Sequence, residues 1–239
     1  SFVIKRGARR AARRADEIIV LSRPVQSYFH KEYGRNTRFI PNGITPAESR
    51  SVVEIGRRWG LGEGTYILFL GRIVPEKRPE LLLEAYRGLD TDKRLVIAGG
   101  SSDTSGYLGE IKAVATRDPR VIMTGFVEGG VLAELYSNAY CYVLPSDVEG
   151  MPMSLLEAMS YGRCCVTSDI PECADVLAGT GETFPQGDAG ALCDVLAALL
   201  VDPDRACTLG DAARRRAETE FDWDAVVERP LELYAGACG

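Results

Sequence analysis

From Tyr66 onward, five short runs rich in aliphatic and aromatic residues, YILFL, RLVIAG, VIMTG, CYVLP and RCCVTS, recur with helical stretches between them. The intervening segments are roughly 12 to 25 residues long, enough for the helical crossover that a parallel strand pair requires. Strands that are apolar at nearly every position belong in a sheet covered on both faces, so the pattern predicts an α/β fold with a parallel sheet and helices on both sides. In such sheets a ligand lies beyond the carboxyl ends of the strands. The loops expected there are Gly71-Arg72, Gly99-Gly100-Ser101, Gly125-Phe126-Val127 and Pro145 through Gly150. Four loops are therefore expected to converge on one rim.

The first 45 or so residues read differently. Lys5, Arg9 and Arg13, with Arg6, Arg10 and Arg14, recur at four-residue intervals and form a basic helix stripe. A solvated face is the simpler reading of that stripe, and contact with an anionic membrane is the other. A strand, EIIVLS, a helix around Pro24 to Tyr33, and TRFIPNGI with an Asn42-Gly43 turn signal follow. Helices near Ala189 to Leu200 and Pro203 to Glu220 close the fold, ahead of an FDW segment and a last helical stretch. The expected divisions are 1–43, 44–220 and 221–239. Because the chain opens with Ser and enters a basic helix at once, it is expected to be a fragment or a processed chain.

Composition removes several function classes. The chain has 239 residues, 46% of them hydrophobic, enough for a substantial core, and a net charge of -6, which argues against nucleic acid as a partner. Its seven cysteines include the adjacent Cys164 and Cys165 but no CxxC or Cys/His ligand spacing, so free thiols in a reducing cytosol are expected and no metal site is. No apolar run is long enough to span a bilayer, and there is no signal-peptide pattern. His30 is the only histidine, which leaves no Ser/His or Cys/His pair and suggests a surface role. Neither GxxxxGK[ST] nor GxGxxG is present.

The residues from Glu149 to Met159, EGMPMSLLEAM, place two carboxylates eight positions apart. If both were helical their Cα atoms would lie roughly 12 Å apart along the axis, which suits gripping an extended ligand at separate points better than sharing one proton. Between them, Gly150-Met151-Pro152 allows close backbone approach, with Pro152 at a first helical position, and the amides around Met153 offer an anion site. A nucleotide sugar has the matching shape. Gly71-Arg72 and Lys77 in GRIVPEK supply two cations able to clamp a diphosphate, or simply a charged loop. Glu157 is either a water-facing helix former or, because Leu155, Leu156, Ala158 and Met159 flank it, a buried carboxylate in need of a partner. Ala98 to Ser102, AGGSS, is either a phosphate or sugar pocket or a plain chain turn.

Taken together, IPNG, GRIVPEK, VIAGG, VIMTGFV, YVLPSDVEGMPMSLLEAM and CCVTSDIPE resemble, in order, the nucleotide-sugar-binding half of the GT-B retaining glycosyltransferases of family 4, the glycosyl transferases group 1. The resemblance covers roughly Arg38 to Asp202, with Glu149 and Glu157 in register with the E-x7-E signature. It implies a Rossmann-like parallel sheet with helices on both faces, the C-terminal half of a GT-B enzyme. It also implies that Glu157 bonds the ribose hydroxyls and that Arg72 and Lys77, beside Gly71, hold the diphosphate and the leaving charge. Glu149 approaches the donor sugar as a positioning and electrostatic residue, the backbone after Gly150 through Met151, Pro152 and Met153 meets sugar hydroxyls and the distal phosphate, and Gly125, Phe126 and Val127 hold the base. The expected substrate is a UDP-sugar or GDP-sugar, with no metal and no cofactor. The acceptor, a glycan or lipid-linked molecule, belongs to an N-terminal domain of which residues 1–43 look like the tail. Polysaccharide biosynthesis by a retaining hexosyltransferase in the cytoplasm, at the inner face of the membrane and peripherally attached to it, is the corresponding biological expectation. The alternatives are a noncatalytic nucleotide-sugar-binding or assembly module, a GT-B sugar-nucleotide epimerase and a phosphorylase, against which the E-x7-E series favours transfer.

Overall fold

Apolar strands hold their place only where both sheet faces are covered, and the chain folds so as to supply that cover. The computed structural model describes residues 2–100 and 105–237, and the chain divides into two units, Ser1–Gly43 with Phe221–Gly239, and Ile44–Glu220.

The first unit begins with α1 (Phe2–Arg14), on which Lys5, Arg6, Arg9, Arg10, Arg13 and Arg14 are all exposed and Ala12 is buried. β1 (Ile19–Val20) pairs in parallel with β2 (Arg38–Phe39) across the crossover helix α2 (Arg23–Tyr33). The strand expected over EIIVLS is cut to two residues because Ser22 already caps α2, its hydroxyl accepting from the Val25 amide at 3.4 Å. Asn42-Gly43 carries no turn. Gly43 is instead where Trp223 packs, since a Cβ there would lie 2.8 Å from the Trp223 Cα.

The second unit runs α3 (Glu54–Trp59), β3 (Tyr66–Leu70), a 3-10 turn (Pro75–Lys77), α4 (Pro79–Arg87), β4 (Arg94–Ala98), α5 (Ser105–Ala115), β5 (Val121–Gly125) and α6 (Gly129–Asn138). It continues with β6 (Cys141–Leu144), α7 (Met153–Ser160), β7 (Cys164–Ser168), α8 (Pro171–Leu177), β8 (Glu182–Phe184), α9 (Ala189–Val201) and α10 (Pro203–Glu220). A last helix, α11 (Trp223–Ala237), returns to the first unit. The five strands expected from sequence are present, and β8 is added at one edge, where only Phe184 is buried and the apolar signal is correspondingly weak.

All pairings in the sheet are parallel, in the order β5-β4-β3-β6-β7-β8. Ile67, Phe69, Leu95, Ile97, Val143 and Val166 share one core with Leu82 and Tyr86 of α4, Ile111 of α5 and Leu192 and Leu196 of α9. The opposite face meets α6 and α7, where Tyr66 donates to the Leu135 carbonyl at 2.7 Å and Tyr142 to Ser154 Oγ at 2.7 Å. Each fully buried aliphatic or aromatic side chain of this kind stabilises by about 1.5–3 kcal/mol. Successive strands run one way from β3 to β5 and the other way from β6 to β8, so the topological switch point, where open α/β sheets bind ligands, falls between β3 and β6.

Candidate functional site

The loops that leave β3 and β6 at this switch point are the ones that carry Gly71 through Lys77 and Pro145 through Gly150. Backbone bonds tie the neighbouring rim loops into one platform: Gly71 N–H to the Ala98 carbonyl at 3.0 Å, Ile73 N–H to Gly100 at 2.9 Å, and Gly99 N–H to Gly125 at 2.9 Å. Gly99 has φ 140, and a Cβ added to it would sit 1.8 Å from the Gly71 carbonyl oxygen, so this approach admits only glycine. Above the platform, Gly71, Arg72, Gly99, Gly100, Phe126 and Val127 line a cavity of about 480 Å³. Gly125 takes φ 71, and Phe126 stands 77% exposed at the edge. Of the AGGSS stretch, Ser101 and Ser102 lie outside the described residues.

The loops after β3 and β6 are also joined directly. The Asp147 amide donates to the Glu76 carbonyl at 2.8 Å, and Lys77 Nζ lies 2.5 Å from Glu149 Oε1, with the two side chains only 12% and 7% exposed. The structure thus brings Lys77 and Glu149 together as a buried ion pair, while Arg72 lies exposed on the cavity wall. A buried charge needs a partner, and here each supplies the other's. An anion arriving at Lys77 would meet an ammonium whose position is already set.

α7 starts at Met153, one residue later than its sequence suggests. Pro152 has ψ 98 and is the cap, its carbonyl accepting from the Leu155 and Leu156 amides at 3.1 and 3.2 Å. Its side chain makes no cap bond, leaving the first-turn amides of Met153 and Ser154 without a side-chain acceptor there. Glu149 is therefore not helical, and the axial spacing expected of a continuous helix does not hold between it and Glu157. Gly150 is exposed and Met151 half-buried in the turn between.

Glu157 is half-buried and has the partner its surroundings demand: the Tyr136 hydroxyl donates to Oε2 at 2.7 Å. Burial pushes its carboxyl above the usual carboxylate range, and the Tyr136 bond pulls part of the way back. Tyr136 stacks on Tyr161 with ring centroids 5.3 Å apart. Glu157, Tyr136 and Tyr161 line a second cavity of about 360 Å³ with Thr45, Glu48 and Gly129, separate from the one that Arg72 lines. One stretch of chain borders both cavities, Phe126 and Val127 lining the first and Gly129, at the start of α6, the second.

Sequence reasoning missed Tyr136, Tyr161 and Glu134. Glu134 is buried in α6; desolvation raises its carboxyl, but the Val53 and Ile55 amides, at 2.9 and 3.1 Å, hold it below the usual range. With Arg50 N–H on Ser137 Oγ and Ala47 N–H on Ser160 Oγ, both at 2.8 Å, it clamps the segment that walls the second cavity. A lone carboxylate within the apolar VLAELY run was the available signal. Among the described residues no group of three His, Cys, Asp or Glu is placed to hold a metal ion, and no helix is long and apolar enough to cross a membrane. His30 is exposed and bonds Asn36 at 3.2 Å. Burial drives the Cys164 thiol up to about 12, far from a nucleophile's range.

Residues 55–216 match the family described as Glycosyl transferases group 1. The D-inositol 3-phosphate glycosyltransferase of Xylanimonas cellulosilytica is 32% identical over 199 residues, covering 80% of this chain and 47% of that protein. The GDP-mannose-dependent alpha-(1-6)-phosphatidylinositol monomannoside mannosyltransferase of Mycolicibacterium smegmatis is 27% identical over 257 residues, covering 98% of this chain and 66% of that one. The chain thus spans about half the length of the first relative and 66% of the second. Anabaena HepE, solved with UDP and glucose, superposes with a TM-score of 0.90 at 20% identity over 99% of this chain and 68% of that one, a likeness of fold. With the family match spanning most of the six-stranded unit and more than half of the chain, the chain belongs to the glycosyl transferases group 1 family.

Proposed function

We propose that this chain is the donor-binding half of a retaining glycosyltransferase of family 4, taking a UDP-sugar or GDP-sugar and serving transfer of its hexose to a glycan or lipid-linked acceptor. The observation that carries the reading is the buried Lys77–Glu149 pair at the switch point, next along the same loop from Arg72 and its cavity. Arg72 and Lys77 bind the diphosphate. As the bond from the sugar C1 to the diphosphate oxygen breaks, they stabilise the electron pair that leaves with the nucleoside diphosphate, a task that fixed charges perform without a metal. The acceptor hydroxyl oxygen forms the new bond to C1, and its proton passes to the departing diphosphate oxygen. Glu149, held by Lys77, orients the sugar; the α7 first turn meets the distal phosphate; Glu157 accepts from ribose hydroxyls; and Gly125 to Val127 hold the base.

In this reading residues 1–43 are the end of an acceptor-binding domain. The cationic face of α1 meets the anionic inner surface of the cytoplasmic membrane, where a lipid-linked acceptor would be presented. The relative named for GDP-mannose is consistent with a guanine donor, and the neighbour solved with UDP with a uracil one.

Isothermal titration of the chain with UDP, GDP, uridine and guanosine tests the site. Glu157→Ala is expected to weaken both nucleoside and nucleoside diphosphate, and Arg72→Ala and Lys77→Ala to weaken the diphosphate more than the nucleoside. Equal affinities in the wild type and all three variants would sink the assignment. Acceptor-dependent release of nucleoside diphosphate by a protein carrying the full N-terminal region separates transfer from epimerisation and from binding alone.

A further inference from the structure

Among the described residues, Arg78 and Ala178 are the non-glycine positions with positive φ, and Arg78, at φ 51 and ψ 42, lies directly after Lys77. A side chain in the left-handed region is strained and persists only where its surroundings over-determine it, so the position calls for a reason. The reason is visible in what the guanidinium reaches. Arg78 Nη1 bonds Asp147 Oδ2 at 2.8 Å, and Asp147 lies two residues before Glu149. Arg78 Nε lies 2.8 Å from Glu80 Oε1 as a close ion pair without hydrogen-bond alignment, and Glu80 in turn accepts from the Tyr107 hydroxyl of α5. On the far side, Gln186 Nε2 donates to the Asp147 carbonyl and to its Oδ1, at 3.1 and 3.2 Å.

We propose that Arg78 is a positioning residue that fixes the loop carrying Lys77 against the loop carrying Glu149, so that the diphosphate meets an ammonium already in place; this rests on the donor site proposed above. The left-handed turn at Arg78 ends the 3-10 turn Pro75–Lys77 and starts α4, which sets how α4 leaves the turn that carries Lys77. The Arg78–Asp147 bond then holds the partner loop in register, in parallel with the Asp147 N–H to Glu76 carbonyl bond. Arg78 touches no reacting atom in this scheme. It acts through Lys77 and Glu149, and its neighbours Glu80, Tyr107 and Gln186 extend the brace to α5 and to the loop before α9.

Arg78→Gly keeps the backbone conformation available while deleting the guanidinium, and Asp147→Asn removes the opposite charge without touching residue 78. Titration with UDP and GDP, against uridine and guanosine as controls, is expected to show each variant losing about tenfold in nucleoside-diphosphate affinity, with the double variant no worse than either alone, as for partners in one network. Nucleoside affinity and the thermal midpoint stay near wild type, and Arg78→Lys, which keeps a cation for Asp147, recovers most of the loss. Unchanged diphosphate affinity in Arg78→Gly and Asp147→Asn, beside a wild type that binds, overturns the positioning role alone. An equal loss of nucleoside and diphosphate also overturns it, since that is what general loosening would do. A folded wild type that binds neither UDP nor GDP overturns the donor-site reading together with this one.

Discussion

Glu149 and Glu157 belong to one short segment, yet the fold surrounds them in opposite ways. Glu149 precedes α7 and is locked to an ammonium, whereas Glu157 lies within α7 against the neutral Tyr136 hydroxyl, its carboxyl pushed up by burial. One is held by charge and the other by a hydrogen bond in a half-buried pocket. Two carboxylates of one short segment thus stand in two different electrostatic settings. Beside Lys77 an anion would meet a fixed ammonium, and beside Tyr136 a neutral hydroxyl would donate to a carboxylate without bringing charge.

The contrast can be broken first at its ion-paired end. Lys77→Ala strands Glu149 with a 7% exposed side chain and is expected to lose about 3 kcal/mol of stability in denaturant unfolding, while Lys77→Met with Glu149→Leu recovers most of it. An unchanged midpoint for Lys77→Ala would mean that the pair is not buried in solution. Next in size, Arg72→Ala should lower UDP or GDP affinity by about tenfold through loss of one charge-assisted contact. Because Arg72 is exposed, its unfolding midpoint should move by no more than about 0.5 kcal/mol, which separates a ligand-facing cation from a structural one.

At the other end the effects shrink. Tyr136→Phe removes one hydrogen bond to a half-buried carboxylate and should cost about 1 kcal/mol near neutral pH. A loss as large as that of Lys77→Ala would erase the distinction between the two ends. The smallest signal is in the pH profile. Because the folded-state carboxyl of Glu157 is raised above its unfolded value, its contribution to stability falls as pH rises from the ordinary carboxylate range through the raised value. Glu157→Gln should flatten that part of the stability curve, and a variant whose curve overlays the wild type would assign the slope to other groups.

The parts of this arrangement that could be read from the sequence are those set by local pattern. The strands from YILFL to RCCVTS are apolar throughout, so their type and the convergence of their following loops were legible. The strand over EIIVLS is shorter than its apolar run, because a capping serine rather than hydrophobicity ends Ile19–Val20, and the two-residue strand Arg38–Phe39 is too short to show an alternation. The helices Glu54–Trp59 and Pro171–Leu177 are too short to present a period. Within the site, Glu157's need for a partner was legible and Tyr136's identity was not, since they are 21 residues apart and meet only across a crossover. Lys77 and Glu149, 72 residues apart, meet because β3 lies beside β6, an adjacency of sheet order that no local pattern encodes.

The contact of Gly99 with the Gly71 carbonyl sets a limit on how this pocket can be altered, by evolution or by design. A single added methyl there has nowhere to go but into backbone, so the floor of the cavity is closed to variation. Change in the shape of the cavity must come from its walls, where Phe126 and Arg72 are exposed and have room to change. The floor keeps the depth constant while the walls are open to change.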